Sequence, residues 1–258
     1  MQHFPEIDDS ERVHHGQLLN IVVAAIGILA ALPLMLAIGA IIRLTSRGPA
    51  IYRQPRIGRD RRRSTVAPAL DRRSHDAGGQ PFQIYKFRTM RVDCGGAQVW
   101  AQVNDPRVTP IGRVLRRYRL DELPQLFNVL RREMNVVGPR PEQPAIFAVL
   151  RETIVGYATR QAVLPGITGW AQINLPYDCC LQDVRKKLSF DLEYVRQRSP
   201  RDDLRIMVDT VPVMLGLRRD TPAGRRAMFS GVPQATRMRV TPTACAPTVT
   251  QQTRGIAQ

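Results

Sequence analysis

The longest hydrophobic pattern in this chain is an apolar run of 25 residues, 18–42, in which Asn20 is the only polar side chain. As one helix the run would extend roughly 37 Å at ~1.5 Å per residue, which exceeds the ~30 Å of a bilayer's hydrocarbon core. Arginines follow it at positions 43, 47 and 53, with no small-residue cleavage site. The pattern therefore predicts an anchor that stays attached and holds the protein at a membrane.

Pro33 lies inside this run and leaves its topology open, because an interior proline removes one backbone hydrogen bond and kinks a helix. In one topology the helix spans the bilayer, with acidic residues 6–11 outside and the arginine-rich remainder inside. In the other, the helix turns at Pro33 and re-enters, so that both ends lie in the cytoplasm. Physical reasoning alone favours the span, since prolines are tolerated in spanning helices.

Two short runs with a β-like pattern, 50–58 and 82–90, enclose an arginine-rich stretch. The intervening residues 59–79 contain six Arg and three Asp and almost no aliphatic periodicity. We expect a hairpin whose long tip is a solvated loop. The loop is either a contact for anionic headgroups or a disordered insertion.

A period of about 3.6 residues predicts amphipathic helices in the rest of the chain. Residues 111–120 carry one apolar face, and a second apolar stripe follows it; their members are Ile111, Val114, Leu115 and Tyr118, then Leu123, Leu126, Phe127 and Leu130. Ser199, Pro200 and Asp202 resemble a capping box that opens a helix to about residue 217. The apolar stripe of that helix is Leu204, Val208, Val211 and Leu215.

These patterns together predict an α+β fold that is mostly helical, with an N-terminal membrane helix and a small β-hairpin. The chain divides into an N-terminal tail, a membrane anchor broken at Pro33, one domain that carries the 59–79 insertion, and a flexible C-terminal tail: 1–17, 18–44, 45–217 and 218–258. The last segment is rich in Thr, Pro, Ala and Gln and has little periodicity, which is typical of a disordered tail.

The composition adds a strong positive charge to this picture. The 258 residues are 43% hydrophobic and carry a formal net charge of +16, which excludes a disordered acidic protein. A surplus of this size predicts an anionic partner: nucleic acid, anionic lipid or a phosphorylated substrate. The four cysteines have no C-x-x-C spacing, so we expect reduced thiols in a cytosolic environment.

Asp121 and Glu122 are the first candidates for chemistry, because adjacent carboxylates at a helix start can converge on one metal ion or phosphate. The helix N-terminus and the arginines upstream should keep Asp121 ionised, which favours a nucleophile over a general acid. A carboxylate that attacks a phosphoryl group needs a divalent cation or arginines to neutralise the developing charge. The alternative is a structural N-cap paired with arginine.

Basic and aromatic residues in other motifs could bind the rest of such a substrate. Arg140 lies between two prolines in a turn in which Gly138 permits an unusual backbone angle, a rigid setting for a phosphate-binding arginine or for a plain turn. Lys86 and Arg88 alternate along a strand and so share a face. Trp170 could stack on a nucleobase, lie at the lipid interface or belong to the core. The chain has neither a P-loop nor a zinc motif, so those chemistries are disfavoured.

Six motifs in fixed order are more specific than any of these residues: RGPAIYRQPRIG, PFQIYKFRTM, DPRVTPIGRVLRRYRLDELPQLFNVL, MNVVGPRPE, LPGITGWAQIN and FDLEYVRQRSPRDDL. With the apolar run before them, they closely resemble the bacterial sugar transferase family, the monotopic phosphoglycosyl transferases of the small single-domain type. The resemblance covers about residues 48–213, so it makes 45–217 the catalytic domain.

The resemblance implies an enzyme that transfers a sugar-1-phosphate from a UDP-sugar to undecaprenyl phosphate and releases UMP. This reaction would initiate exopolysaccharide, capsule, O-antigen or glycoprotein glycan synthesis. The resemblance makes Asp121 the nucleophile of a covalent phospho-sugar intermediate, supported by Glu122 and by Mg²⁺ held on both carboxylates. Lys86 and Arg140 would bind phosphates, with Arg88 beside them. Weaker candidates for nucleotide or lipid contacts are Arg119, Gly166 and Trp170.

The resemblance also implies a re-entrant helix broken at Pro33 and a catalytic domain on the cytoplasmic face of the bacterial inner membrane. Anionic lipid would contact it, and downstream glycosyltransferases are candidate partners. The 59–79 insertion departs from the family, which usually joins this strand pair by a few residues. The alternative is a membrane-tethered nucleic-acid-binding protein without catalysis, motivated by the charge. No nucleic-acid module appears in the sequence, so we expect no nucleic-acid partner.

Overall fold

The computed structural model describes residues 10–60, 78–91, 105–175 and 180–214, with side chains from residue 16 onward. The N-terminal tail as far as residue 9, most of the 59–79 insertion and the predicted C-terminal tail lie outside the described residues. The helices are α1 (Ser10–Thr45), α2 (Pro110–Arg117), α3 (Gln125–Leu130), α4 (Pro144–Thr153), α5 (Trp170–Asn174), α6 (Leu181–Gln197) and α7 (Pro200–Met214). The strands are β1 (Ile51–Ile57), β2 (Pro81–Phe87), β3 (Asn135–Val137) and β4 (Gly166–Thr168).

The predicted fold class is confirmed, because the described residues are mostly helical and carry only two small sheets. β1 and β2 form the expected hairpin, antiparallel from the pair Ile51 and Phe87 to the pair Ile57 and Pro81. β3 and β4 form a parallel two-stranded sheet that the sequence analysis did not predict. These strands are three residues long, too short for their hydrophobic pattern to be recognised.

Gly138 allows the β3–β4 sheet to continue into a tight backbone contact. A Cβ atom on Gly138 would lie 2.6 Å from the Leu164 carbonyl oxygen, and one on Gly166 would clash with the Gly138 amide nitrogen. Gly138 is not among the described residues with positive φ, so the expectation of an unusual backbone angle there was wrong. The glycine is required because two backbone segments approach closely.

α1 is the apolar helix, and its helical backbone continues through Pro33 from Ser10 to Thr45 without the predicted break. By length and composition it could cross a membrane, with a mean hydropathy of 2.8 over its most apolar window. One stripe of the helix is buried against the domain: Ala24, Ile28, Met35, Ile38 and Ile42. Most of the other apolar side chains are exposed, among them Leu18, Ile26, Leu29, Leu36 and Leu44.

Asn20 explains why one polar residue interrupts the apolar run. Its side chain is 1% exposed, and its Oδ1 accepts a hydrogen bond of 2.7 Å from the backbone amide of Val136 in β3. Its Nδ2 donates to the Gly16 carbonyl at 2.6 Å. Because a buried amide is stable only when its polar atoms are paired, Asn20 specifies where the first part of α1 contacts the domain.

The amphipathic helices lie close to their predicted bounds, but the predicted stripes are not always buried. On α2 only Gly112 and Leu115 are buried. On α7 the stripe members Leu204 and Val208 are exposed, and the buried side chains are Asp203 and Ile206. The 3.6-residue period therefore identified the helices correctly but not which apolar side chains are buried. An apolar stripe is suited to a membrane or a partner surface as well as to the core.

α3 buries polar side chains that the hydrophobic pattern could not identify. Gln125 and Asn128 are fully buried. Asn128 Nδ2 donates to the Gln83 carbonyl at 2.7 Å, and its Oδ1 accepts from the Tyr85 amide at 3.1 Å. Asn128 therefore pairs with the free edge of β2, which fixes the hairpin against α3.

Four clusters of buried apolar residues join these elements. The first two hold α4, α6 and the second sheet together: Ile57, Phe147, Leu150, Ile154, Tyr157, Val184 and Leu188, then Val137, Val163, Trp170, Tyr194 and Ile206. The other two join α1 to the hairpin, α2 and α3: Ala24, Phe82, Ile84, Val129 and Met134, then Met35, Ile38, Ile42, Phe87 and Leu115. The apolar helix is thus part of the core of the domain.

Arg132→Gly is expected to stabilise the protein slightly. Arg132 has φ 58° and ends α3 in a Schellman motif, in which the Arg132 amide donates to the Val129 carbonyl and the Glu133 amide to the Asn128 carbonyl. Glycine adopts this left-handed conformation without steric cost, so we expect a gain of about 0.5–1 kcal/mol. Chemical denaturation in detergent checks it; Arg131→Gly, whose φ is −77°, is the control and should not stabilise.

Candidate active site

A left-handed turn brings the Asp-Glu pair into the interior of the domain. Thr109 caps the start of α2, where its Oγ1 accepts a 3.0 Å hydrogen bond from the Gly112 amide. After α2 ends, Arg119 has φ 53°, an unusual value for a residue with a side chain. The chain then forms a 3-10 turn, Leu120–Glu122, in which both carboxylates are buried. Non-glycine residues in this strained conformation cluster at functional sites.

Glu122 is the carboxylate to which the cations of the site bind. Its Oε1 lies 3.0 Å from Lys86 Nζ and 2.7 Å from Arg140 Nη2. Its Oε2 lies 3.8 Å from Arg119 Nη1. Three cationic side chains from three separate segments therefore converge on one carboxylate, and Asp121 is its immediate neighbour in the chain.

The two carboxylates have opposite pKa shifts. Burial raises the pKa of Asp121, and the negative charge of Glu122 raises it further, while Lys86 and Arg140 partly offset this. Burial would also raise the pKa of Glu122, but Arg140 and Lys86 outweigh it and hold that pKa far below its ordinary value. The surroundings were expected to favour the ionised form of Asp121, whereas burial and Glu122 shift its pKa upward, because the cations mainly stabilise the charge on Glu122.

Lys86 reaches Glu122 because β2 alternates its side chains. Phe82 and Ile84 point into the core on the same face as Lys86, whereas Tyr85 points to the other face. Burial lowers the pKa of the Lys86 ammonium, and Glu122 opposes that shift. The ammonium group is thus held at the site by the carboxylate with which it pairs.

Arg140 is held by residues that the sequence analysis did not single out. Its Nη1 donates to Gln172 Oε1 at 3.1 Å, and its backbone carbonyl accepts a 2.8 Å hydrogen bond from Arg160 Nη2. Arg56 Nη1 donates to the next carbonyl, that of Pro141, at 2.9 Å. Arg56 and Gln172 lie in quoted motifs, but only the fold shows that both adjoin Arg140. Arg160 lies in none of the six motifs, so no sequence signal pointed to it.

Arg88 lies away from the site, although it was grouped with Lys86. Its guanidinium donates to the carbonyl oxygens of Ser46 and Arg47 at 2.8 and 2.6 Å and to Ser46 Oγ at 2.6 Å. These are carbonyls at the C-terminal end of α1, where a cation is stabilised by the unpaired helix carbonyls. Arg88 follows the last residue of β2, so the alternation of the strand no longer applies to it.

Two of the three weaker candidates, Trp170 and Gly166, lie where they contribute to packing. Trp170 is buried in the core, packs against Phe190 with ring centroids 6.2 Å apart, and directs its Nε1 to Glu193 Oε2 at 3.4 Å. Gly166 belongs to the tight backbone contact with Gly138. Of the alternatives for Trp170, the structure therefore favours the core. Arg119 is the one weaker candidate that lies at the site, beside Glu122.

Comparison with known proteins decides the family. The model of the family described as bacterial sugar transferase matches residues 12–217. The chain is a member of the bacterial sugar transferase family. The match includes both carboxylates, Lys86, Arg140 and most of α1, and it confirms the resemblance inferred from the motifs.

Curated members of the sugar transferase family are similar to this chain over about three quarters of its length. It is 40% identical over 195 residues to a UDP-glucose:undecaprenyl-phosphate glucose-1-phosphate transferase of Escherichia coli (strain K12), covering 74% of this chain and 38% of the relative. It is 38% identical over 199 residues to a UDP-N-acetylgalactosamine-undecaprenyl-phosphate N-acetylgalactosaminephosphotransferase of Aeromonas hydrophila. The match covers 76% of this chain and 43% of that relative. A relative of Caulobacter vibrioides has the same name as the first. The chain is 38% identical to it over 202 residues, which cover 77% of this chain and 69% of the relative. The chain spans about two fifths of the length of the first two.

The Asp-Glu pair of this sugar transferase domain fits a magnesium ion. Mg²⁺ is held in proteins by one or two carboxylates together with water and substrate phosphates. Asp121 and Glu122 supply two adjacent carboxylates, and the raised pKa of Asp121 would be lowered by a bound cation. Within the described residues no group of three or more metal-ligating side chains occurs, so such an ion would need substrate oxygens to complete its coordination.

Lys86→Met and Arg140→Met are each expected to lower kcat/KM for the sugar nucleotide by about 10²–10³. Each removes a positive charge within 3.0 Å of the Glu122 carboxylate, and cations at such a site would stabilise the negative charge that develops in a phosphoryl transfer. Arg88→Met is the matched control, because the side chain of this buried arginine donates its described hydrogen bonds to Ser46 and Arg47, just after the end of α1. It should lower the free energy of unfolding and leave KM for the donor unchanged; near-normal kinetics in Lys86→Met or Arg140→Met would exclude that residue from the site.

Proposed function

We propose that this protein transfers a sugar-1-phosphate from a UDP-sugar to undecaprenyl phosphate, releases UMP and so initiates synthesis of a surface glycan. The relatives described above are named as transferases of glucose-1-phosphate or N-acetylgalactosamine phosphate that act with undecaprenyl phosphate. A relative in Rhizobium leguminosarum is named an exopolysaccharide production protein. The lipid-linked sugar would then be the substrate of glycosyltransferases that extend the glycan.

The different surroundings of the two buried carboxylates are the observation that carries this proposal. Lys86 and Arg140 bind Glu122, so Glu122 positions the cations. Asp121 is left with a raised pKa, and a more basic carboxylate is a stronger nucleophile once it is deprotonated. This asymmetry suits a two-step transfer in which Asp121 is the attacking carboxylate.

In the first step, an Asp121 carboxylate oxygen attacks the phosphorus that bears the sugar. The bond from that phosphorus to the bridging oxygen of the diphosphate breaks, and the oxygen leaves with UMP. In the second step, a phosphate oxygen of undecaprenyl phosphate attacks the same phosphorus, and the bond to Asp121 breaks. The products are the polyprenyl diphosphate sugar and the free carboxylate, so the two anionic substrates use one site in turn.

Lys86, Arg140 and Arg119 would neutralise the phosphate oxygens during both steps, since they already surround Glu122. A magnesium ion on Asp121 and Glu122 would supply further charge neutralisation and orient the diphosphate. The backbone of the Arg140 turn is fixed by Arg160 and Arg56. This rigidity keeps the guanidinium in place without reorganisation during the reaction.

The packing of α1 supports an anchor whose two ends lie on the same, cytoplasmic side of the inner membrane. Near the start of the apolar run, Asn20 accepts a hydrogen bond from β3. After the end of the run, Ser46 accepts a hydrogen bond from Arg88. A spanning helix would place these two residues on opposite sides of a ~30 Å hydrocarbon layer, so they could not both contact one domain. Anionic headgroups would then contact the arginines around the domain.

A panel of UDP-sugars tests the proposed reaction, with UMP release measured in the presence of Mg²⁺ and with or without undecaprenyl phosphate. We expect stoichiometric UMP release with the correct donor alone and continuous turnover when the acceptor is added. If no donor yields UMP, and the protein instead binds DNA with a steep salt dependence, the nucleic-acid-binding alternative replaces the enzyme.

Glu6→Cys tests the topology. In spheroplasts, a membrane-impermeant thiol reagent should label this cysteine only after the membrane is permeabilised. Val155→Cys, at a fully exposed position of the catalytic domain, is the matched control for the cytoplasmic side. Labelling of Glu6→Cys in intact spheroplasts, with Val155→Cys protected, would show that α1 spans the bilayer.

A further inference from the structure

An apolar groove of about 380 Å³ lies between α1, the hairpin and α3. Its lining includes Met35 of α1, Tyr85 of β2, Pro124, and Phe127 and Leu130 of α3. Its volume is within the range of small-molecule sites. None of the residues assigned above to phosphate or metal binding lines it.

The groove is not a by-product of core packing. α3 buries Val129 in the domain core and packs Leu126 against the same cluster, beside Gly27 of α1, so one face of the helix already holds it in the domain. Phe127 and Leu130 are nonetheless 41% and 39% exposed. Two large apolar side chains left open beside each other in a concave site indicate an apolar ligand.

The groove joins the membrane helix to the catalytic pair. Met35 lies in α1, where the neighbouring Leu32 and Leu36 are exposed, as the proposed membrane anchor requires. Pro124 lines the groove and follows Glu122 by two residues, so this end of the groove adjoins the Asp-Glu pair, while Tyr85 lines it from the face of β2 opposite Lys86. A ligand in the groove could therefore extend past Pro124 to the two carboxylates.

The charges around the groove fit an amphiphile with a phosphate head. The Arg53 guanidinium lies 5.6 Å from the centre of the Tyr85 ring, and the side chain of Arg131 is 61% exposed at the other margin, paired with Glu133. An apolar trough with cationic margins and a cationic site at one end suits a single long hydrocarbon chain that ends in phosphate.

We propose that this groove binds the first isoprene units of the polyprenyl phosphate acceptor and directs its phosphate to Asp121. The inference rests on the proposed function, and it adds a site for the hydrocarbon part of the acceptor. The remaining isoprene units would lie in the bilayer beside α1. Phe127 and Leu130 act in acceptor binding alone, since the donor reacts before the acceptor is needed.

Phe127→Ser and Leu130→Ser test the groove through the two half-reactions. We expect each variant to raise KM for undecaprenyl phosphate at least tenfold, because each loses a large apolar contact with the chain. UMP release from the donor alone should remain within twofold of wild type. Val208→Ser removes an exposed apolar side chain of α7, outside the groove, and should change neither value. An unchanged KM in both groove variants would refute the proposal.

A crosslinking measurement keeps the groove testable apart from the proposed activity. A photoreactive phenylalanine at position 127, in vesicles of phosphatidylglycerol, should crosslink to undecaprenyl phosphate. Added undecaprenyl phosphate should suppress any crosslink to phospholipid. If wild-type protein releases no UMP from any donor, the proposed function fails, while this competition still decides the groove. Crosslinks to phospholipid that undecaprenyl phosphate does not compete would show that the groove holds bilayer acyl chains instead.

Discussion

Asp121→Asn is expected to lower turnover by roughly 10³ or more while the protein stays folded. The amide keeps the shape of the side chain but cannot form the bond to phosphorus, so UMP release from the donor alone should also disappear. In wild type, the rate of this half-reaction should rise with pH through the pKa of Asp121, because the ionised form attacks. Because burial and Glu122 raise that pKa and a bound cation would lower it, the acid limb should move to higher pH as the Mg²⁺ concentration is reduced.

The stability of Asp121→Asn separates chemistry from folding. A neutral amide removes a buried carboxylate whose ionisation the site disfavours, so the free energy of unfolding should be equal to or higher than that of wild type. Glu152→Gln, at an exposed position near the end of α4, makes the same carboxylate-to-amide change and should retain full activity. A trapped phospho-sugar adduct on the Asp121→Asn protein would contradict the assignment of the nucleophile.

Arg160→Met is expected to lower the free energy of unfolding by about 3–5 kcal/mol, the usual cost of removing one partner from a buried ion pair. Arg160 is 2% exposed. Its guanidinium lies 2.7 Å from Asp191 Oδ2 and 3.3 Å from Glu142 Oε1, and it donates to Tyr157 Oη at 2.7 Å. Without it, the Asp191 carboxylate would be buried with no cation at that distance. Urea denaturation of the detergent-solubilised protein measures the change.

Arg160→Met should also weaken donor binding, because Arg160 donates to the carbonyl of Arg140. Asp191→Asn is the matched variant, since it neutralises the carboxylate but leaves the contact of Arg160 with the Arg140 turn. It should lose less stability and keep a wild-type KM for the donor, whereas Arg160→Met should raise it. Equal donor KM values in the two variants would show that Arg160 has a purely structural role.

The candidate site could be predicted from sequence only where a motif keeps its residues close together. The Asp-Glu pair and the turn around Arg140 are short rigid segments, and both lie at the site. Arg88 was misplaced because strand alternation was extended one residue past the end of β2. Arg56, Gln172 and Arg160 were missed, since each contacts the Arg140 turn only through tertiary packing.

The direction of the Asp121 pKa shift shows the same limit. From the sequence, nearby arginines should have favoured the ionised carboxylate. In the structure Arg140 and Lys86 instead contact Glu122 at hydrogen-bond distance, and burial dominates at Asp121. The balance between burial and charge depends on distances of a few ångströms, and sequence spacing does not fix these.

The sequence by itself determined the apolar anchor, the hairpin, the bounds of the amphipathic helices and the order of motifs that identifies the family, because periodicity and local motifs are properties of neighbouring residues. Only the tertiary structure decided which stripes are buried, which carboxylate pairs with the cations, and that α1 belongs to the core of the domain. It also formed the groove beside Phe127. Each of these depends on contacts between segments far apart in the chain, and such contacts leave no regular signal in a single sequence.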